Sequence, residues 1–188
     1  MDTEAQAVTD GQRDVRSFLE ACSERLSALA GTALAAEGAE SFRRALQASV
    51  PLPVQPNWLP VLDTIDQIDD APRAQQFARI ARLLPWQPTF RTEDRGTLIA
   101  LAPINEVRRL DGVTVGVLYV APGHQYPLHS HPPNELYLTV SGTAQWRYGG
   151  QADLRPVGPD EVILNHPNDL HTTIAGSTPL VALYVLWH

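Results

Sequence analysis

From about Thr97 onward the apolar residues alternate, whereas before it they recur every third or fourth position. That switch of period limits the chain to a helical part followed by a β part. In the second part, 98–102, 113–120, 135–140, 144–148, 161–164, 171–175 and 180–187 read as short strands separated by Gly, Pro, Asn and Asp. Strands of that length and spacing build a sandwich or a barrel.

In the first part, Val15, Phe18, Leu19, Cys22, Leu26 and Leu29 form the stripe of an amphipathic helix over 11–30. A second helix over 36–48 is expected to bury Phe42 and Leu46. The proline-rich stretch 51–56 is a stiff extended connector. Helical spacing returns in Leu59, Leu62, Ile65 and Ile68, and again in Phe77, Ile80 and Leu84. A chain of 188 residues suits one domain with a sizeable core plus an extension.

Several function classes are excluded at this level. The net charge is −7, no basic run occurs, and Arg43-Arg44 sits among Glu24, Glu37 and Glu40, so no helix offers the basic face of a nucleic-acid reader. All fourteen basic residues are arginine, which rules out Schiff-base chemistry on lysine. The lone Cys22 lies in the apolar stripe, where a thiol is core and not nucleophile. No apolar stretch approaches a membrane span, and the acidic, polar start lacks a signal-peptide pattern, so a soluble cytoplasmic protein with no membrane partner is expected.

The chemistry concentrates between Gly123 and Gly142. His129 and His131 stand at i and i+2, so on one strand they would look the same way. Pro132-Pro133-Asn134 forces a turn, and a second strand then places Glu135, Tyr137 and Thr139 on one face and Leu136, Leu138 and Val140 on the other. A hairpin of these two strands would bring two imidazoles and a carboxylate together. His171 is the best fourth ligand, since it follows the turn-like 165–169 and opens another apolar strand. Imidazole with carboxylate suits Fe²⁺, Mn²⁺, Zn²⁺, Ni²⁺ or Co²⁺. Five of the six histidines fall between His124 and His171. Hydrogen-bonded core histidines would not explain that clustering, since inward polar groups without partners are costly. His124 has the wrong parity and His166 sits in a turn, so neither is taken as a ligand.

The spacing of Gly123, His129, His131, Glu135 and Gly142 resembles the first motif of the cupins in full. The second motif is matched in part: His171 stands at its histidine, but His166 and Asn168 occupy the usual proline and glycine positions. The resemblance implies a mainly β protein, a single double-stranded β-helix (jelly-roll) barrel over 97–188 holding the metal, with the α-helical region 1–96 packed on it. Tyr137, two residues after Glu135, and Tyr126, three before His129, make the chain similar to the cupin-type dimethylsulfoniopropionate lyases. That similarity implies His131, Glu135 and His171 as metal ligands, with His129 as a fourth ligand or their close neighbour. It implies Tyr137 as catalytic base, with Tyr126 beside it, for the cleavage of a small carboxylate substrate into dimethyl sulfide and acrylate.

A sulfonium substrate wants aromatic faces. Tyr126, Tyr184 and Trp187 are the candidates, with Trp146 and Tyr148 behind them. Pro127 would supply the irregularity that turns Tyr126 inward. Two other readings are open: a cupin reaction on another small carboxylate, such as that of an iron dioxygenase, and a ligand-binding regulatory module. By analogy with cupins that pair through their sheets, a homodimer is expected.

Overall fold

The computed structural model describes residues 2–188, with side chains from Thr9 onward. Three α-helices lead: α1 (Asp2–Leu29), α2 (Ala33–Ala48) and α3 (Pro72–Ile80). Helix α1 begins ahead of its apolar stripe, and the preceding run includes Glu4-Ala5-Gln6-Ala7, residue types that favour helix. Thr32 caps α2, its Oγ1 accepting the Ala35 N–H at 3.2 Å. Pro60–Gln67, expected as helix from its spacing, is a tighter 3₁₀ helix, and Ala81–Leu83 is a 3₁₀ turn that closes α3.

The strands are β1 (Val50–Pro51), β2 (Gln87–Pro88), β3 (Ile99–Pro103), β4 (Arg108–Arg109), β5 (Thr114–Val120) and β6 (Gln125–His129). They continue with β7 (Asn134–Ser141), β8 (Ala144–Arg147), β9 (Arg155–Val157), β10 (Val162–Asn165), β11 (His171–Ala175) and β12 (Leu180–Trp187). A six-stranded sheet in the order β10-β7-β12-β5-β3-β2 faces a four-stranded sheet in the order β6-β11-β8-β9, and β1 pairs with β4 apart from both. Every pairing in the two main sheets is antiparallel. The protein is therefore mainly β, a double-stranded β-helix barrel behind an N-terminal helical region.

The six-stranded sheet is buried on both faces, and β12 is accordingly apolar throughout, whereas β7 carries the buried polar residues Glu135, Thr139 and Ser141 between its apolar ones. Leu136, Leu138, Val140, Val181, Leu183 and Val185 pack outward into one core with Phe18, Leu19, Phe42 and Phe77 of the helices. Tyr137, Ala182 and Tyr184 point inward with Leu118, Trp146 and Ile163, into a second core inside the barrel. Cys22 lies wholly buried in the helical core, where burial pushes its thiol up to about 12 and leaves it inert at neutral pH. Among the described residues no helix is long and apolar enough to cross a membrane.

Two sequence expectations are corrected here. The hairpin joining the histidines to Glu135 does not form: β6 ends at His129, His131 lies in the connection, and β6 pairs with β11 whereas β7 pairs with β10 and β12. Pro132 and Pro133 have no N–H to give a ladder, so the chain there leaves one sheet and crosses to the other. Trp187 does not face the barrel interior. It lies three residues from the inward Tyr184 on a strand that is regular in this stretch, so it points outward and packs against Gly38 of α2.

Candidate metal centre

Four side chains reach one point in the barrel from four places: His129 at the end of β6, His131 in the connection, Glu135 on β7 and His171 at the start of β11. The imidazole centroids of His129 and His171 are 4.1 Å apart, those of His131 and His171 5.0 Å, and those of His129 and His131 6.0 Å. The nitrogens that three such histidines would offer a metal all lie within 4.8 Å of one another. Glu135 Oε2 sits 3.2 Å from Nε2 of both His131 and His171.

Local backbone chemistry orients the rings. Each Nδ1 meets a backbone carbonyl, at 2.7 Å (His129 to Pro127), 3.3 Å (His131 to Pro133) and 2.9 Å (His171 to Asp169). Nδ1 is then the protonated nitrogen, and the Nε2 lone pair of each ring is free for a ligand. The buried Nε2 atoms of His131 and His171 have no hydrogen-bond partner despite the nearby carboxylate. Orphaned nitrogens beside a buried carboxylate oxygen fit a divalent cation among them, since leaving such groups unpaired is costly.

The turn before His171 is held by Asn168 at φ 65°, a left-handed conformation that Asn tolerates better than most residues, so it serves where the motif has glycine. Its N–H donates to the carbonyl of His131 at 2.8 Å and ties the two ligand-bearing segments together. Asn165 is not part of that turn, contrary to the sequence reading. It ends β10, fully buried opposite Glu135, and its Nδ2 donates to Glu135 Oε2 at 3.1 Å while its Oδ1 accepts from Gly149 N–H at 3.1 Å. A polar residue closing an apolar strand is the sequence signal for it.

The tyrosines stand around this cluster. In the β6–β11 register His129 faces His171 but Tyr126 faces Thr173, three residues against two, so β6 carries one extra residue at Pro127-Leu128. That bulge turns Tyr126 to the same side as His129, with the two rings 4.8 Å apart. Tyr137 lies 6.4 Å from His171, 5.0 Å from Trp146 and 6.2 Å from Tyr184 by ring centroid. Gly116, opposite Tyr184 on β5, makes room for that ring: a Cβ there would lie 2.2 Å from the Tyr184 hydroxyl. Tyr148 packs at the edge of the inner core, and His124 and His166 are exposed, outside the cluster.

Burial dominates the electrostatics. It lowers His129 to about 4 and pulls His171 down, while at His131 the adjacent Glu135 carboxylate outweighs burial and raises the pKa. Burial, then the Glu135 charge, drives the Tyr137 phenol well above its ordinary range. Burial also raises Tyr184 and Tyr126, the latter against the opposing charge of Arg91. Arg91 escaped the sequence reading because it sits in a polar loop without periodicity; its Nε donates to Tyr126 Oη at 3.2 Å.

The lowered His129 fixes a sign. Its neutral ring contributes stability that is fully present above about pH 6.5 and is lost as pH falls toward 4. His131, raised, contributes in the opposite sense, fully below its ordinary value and less as pH rises through the folded one. Thermal melts of metal-free protein should therefore show Tm falling from pH 7 to pH 4, with a flatter fall in His129→Asn.

Barrel, paired imidazoles and inward carboxylate together define a cupin with a three-histidine site suited to a metal ion. Within the cupins, the chain belongs to the dimethylsulfoniopropionate lyase family, whose family model matches residues 36–182. It is 32% identical over 77 residues to the dimethylsulfoniopropionate lyase DddQ of Ruegeria pomeroyi, a match spanning 41% of this chain and 37% of that protein's length. The crystal structure of the lyase DddQ from R. pomeroyi DSS-3 superimposes with a TM-score of 0.66 at 22% identity, over 76% of this chain and 78% of that one. A structure from work on the lyases RdDddP and RnDddQII gives 0.72 at 21% identity, over 95% and 94%. At those identities the likeness is one of fold.

Proposed function

We propose that the protein is a metal-dependent lyase that splits dimethylsulfoniopropionate into dimethyl sulfide and acrylate. The observation that carries this reading is the set of three imidazoles, each turned by a carbonyl at Nδ1 so that Nε2 converges beside Glu135, with two tyrosines against them. Family membership and the names of the relatives supply the substrate. His131, Glu135 and His171 would hold the ion with His129 as fourth ligand, a donor set that admits Fe²⁺, Mn²⁺, Zn²⁺, Ni²⁺ or Co²⁺. When bound, the ion supplies positive charge that acidifies the proton next to a neighbouring carboxylate and favours phenolate over phenol.

Tyr137 takes that α-proton at its Oη. The electron pair left behind forms the carbon–carbon double bond as the carbon–sulfur bond breaks, and neutral dimethyl sulfide departs from acrylate. Tyr126, Tyr184 and Trp146 present rings for the sulfonium cation. The buried apolar residues of the inner core limit the access of water to the reacting proton.

Purified protein loaded separately with Fe²⁺, Mn²⁺ and Zn²⁺ is expected to release dimethyl sulfide and acrylate in equal amounts over many turnovers. No product with any metal, despite a filled site, would overturn the substrate. Oxygen consumption with another small carboxylate would instead support a dioxygenase.

A further inference from the structure

Arg91 is placed by the fold at the edge of this site and is used by none of the steps above. The loop that carries it follows β2, and Thr89 Oγ1 accepts the Arg91 backbone N–H at 3.2 Å, which pins the turn. Phe90 beside it is 85% exposed, so the loop lies at the surface. The half-buried Arg91 side chain reaches inward from there, its guanidinium carbon 4.7 Å from the Phe90 ring centroid and its Nε donating to Tyr126 Oη.

The stack and the Nε bond fix the plane of the guanidinium and leave its two terminal nitrogens as an open fork. Among the described residues no Asp or Glu pairs with Arg91, a lack it shares with seven other arginines; what sets it apart is its bond to Tyr126, whose ring lies 4.8 Å from that of His129. The charge acts on Tyr126 and on all three imidazoles of the centre, so it stands close to where substrate would sit. Tyr126 Oη accepts from Arg91, and the Thr89 hydroxyl stands beside the same phenol.

We propose that Arg91 is the residue that recognises the substrate's carboxylate. Its terminal nitrogens take the two oxygens side by side, a geometry that a planar guanidinium matches and a point charge does not. The Tyr126 hydroxyl donates to one of the same oxygens. The fork thereby sets which end of the molecule lies at the loop and selects anionic acids over their neutral isosteres. This assignment rests on the reading that the site takes a small carboxylate.

The test is calorimetric titration of metal-free and metal-loaded protein with acrylate and with its neutral isostere acrylamide, for wild type, Arg91→Gln and Arg91→Lys. Acrylate affinity is expected to fall at least about tenfold in Arg91→Gln, with acrylamide unchanged. Arg91→Lys keeps the charge without the fork and should weaken acrylate to an intermediate degree; it carries the test if glutamine disrupts the loop. Equal acrylate affinity in wild type and variants, or no acrylate binding by wild type, overturns the assignment. Release of dimethyl sulfide, followed in parallel, separates the two readings. Undiminished carboxylate affinity with continued turnover removes Arg91 alone, and Arg91-dependent acrylate binding without turnover removes the lyase alone.

Discussion

His171→Ala should lower divalent-metal affinity by more than about a hundredfold, as read by competition with a coloured chelator. His171 is 1% exposed, its ring lies 4.1 Å from that of His129, and its Nε2 stands 3.2 Å from Glu135 Oε2. Alanine removes one imidazole outright and leaves Glu135 facing a void on that side. A loss beyond about a hundredfold is the scale for a ligand, because residues that only orient ligands cost about 10- to 100-fold. Asn165→Ala supplies that comparison, since it removes the amide that holds Glu135 Oε2 and leaves every imidazole in place. The expected order is therefore His171→Ala well below Asn165→Ala, and equal affinities in the two would place the metal elsewhere.

Tyr137→Phe should lower kcat by about 10²- to 10⁴-fold with metal content unchanged, the range for loss of a positioned acid or base. Phenylalanine keeps the ring that packs on Trp146 at 5.0 Å and faces Tyr184 at 6.2 Å, so the inner core stays filled. Only the hydroxyl is lost. Burial and then the Glu135 charge hold that hydroxyl neutral in the metal-free chain, so the proposed role as a base would require the positive charge of a bound cation. Dimethyl sulfide release by gas chromatography, with metal measured by mass spectrometry on the same samples, decides the matter. A Tyr137→Phe enzyme of undiminished rate, beside an inactive Tyr126→Phe enzyme, would transfer the role to Tyr126.

The change of period near Thr97 carries the division into helices and strands, and β11 and β12 are bounded as the alternation predicts. Alternation also divides β7 correctly, with Leu136, Leu138 and Val140 toward the helices and Glu135, Tyr137 and Thr139 toward the barrel. It cannot say which strands pair, because register is a tertiary property, and so the expected hairpin gives way to two strands in different sheets. Trp187 was within reach of the same rule: three residues from Tyr184 on a regular strand means the opposite face. Asn165 and Arg91 leave weaker traces, one inside a run that reads as a turn, the other in a polar loop whose position depends on the whole barrel.

The double burial of the six-stranded sheet bears on quaternary structure. An apolar sheet face must be shielded, either by its own chain or by a neighbour. Here residues of α1, α2 and α3 cover it within one chain. The four-stranded sheet has no such cover at every position, and its exposed residues include the polar Gln125 and Gln145. The helical region thus does for this sheet, within one chain, what a second sheet does for the opposite face.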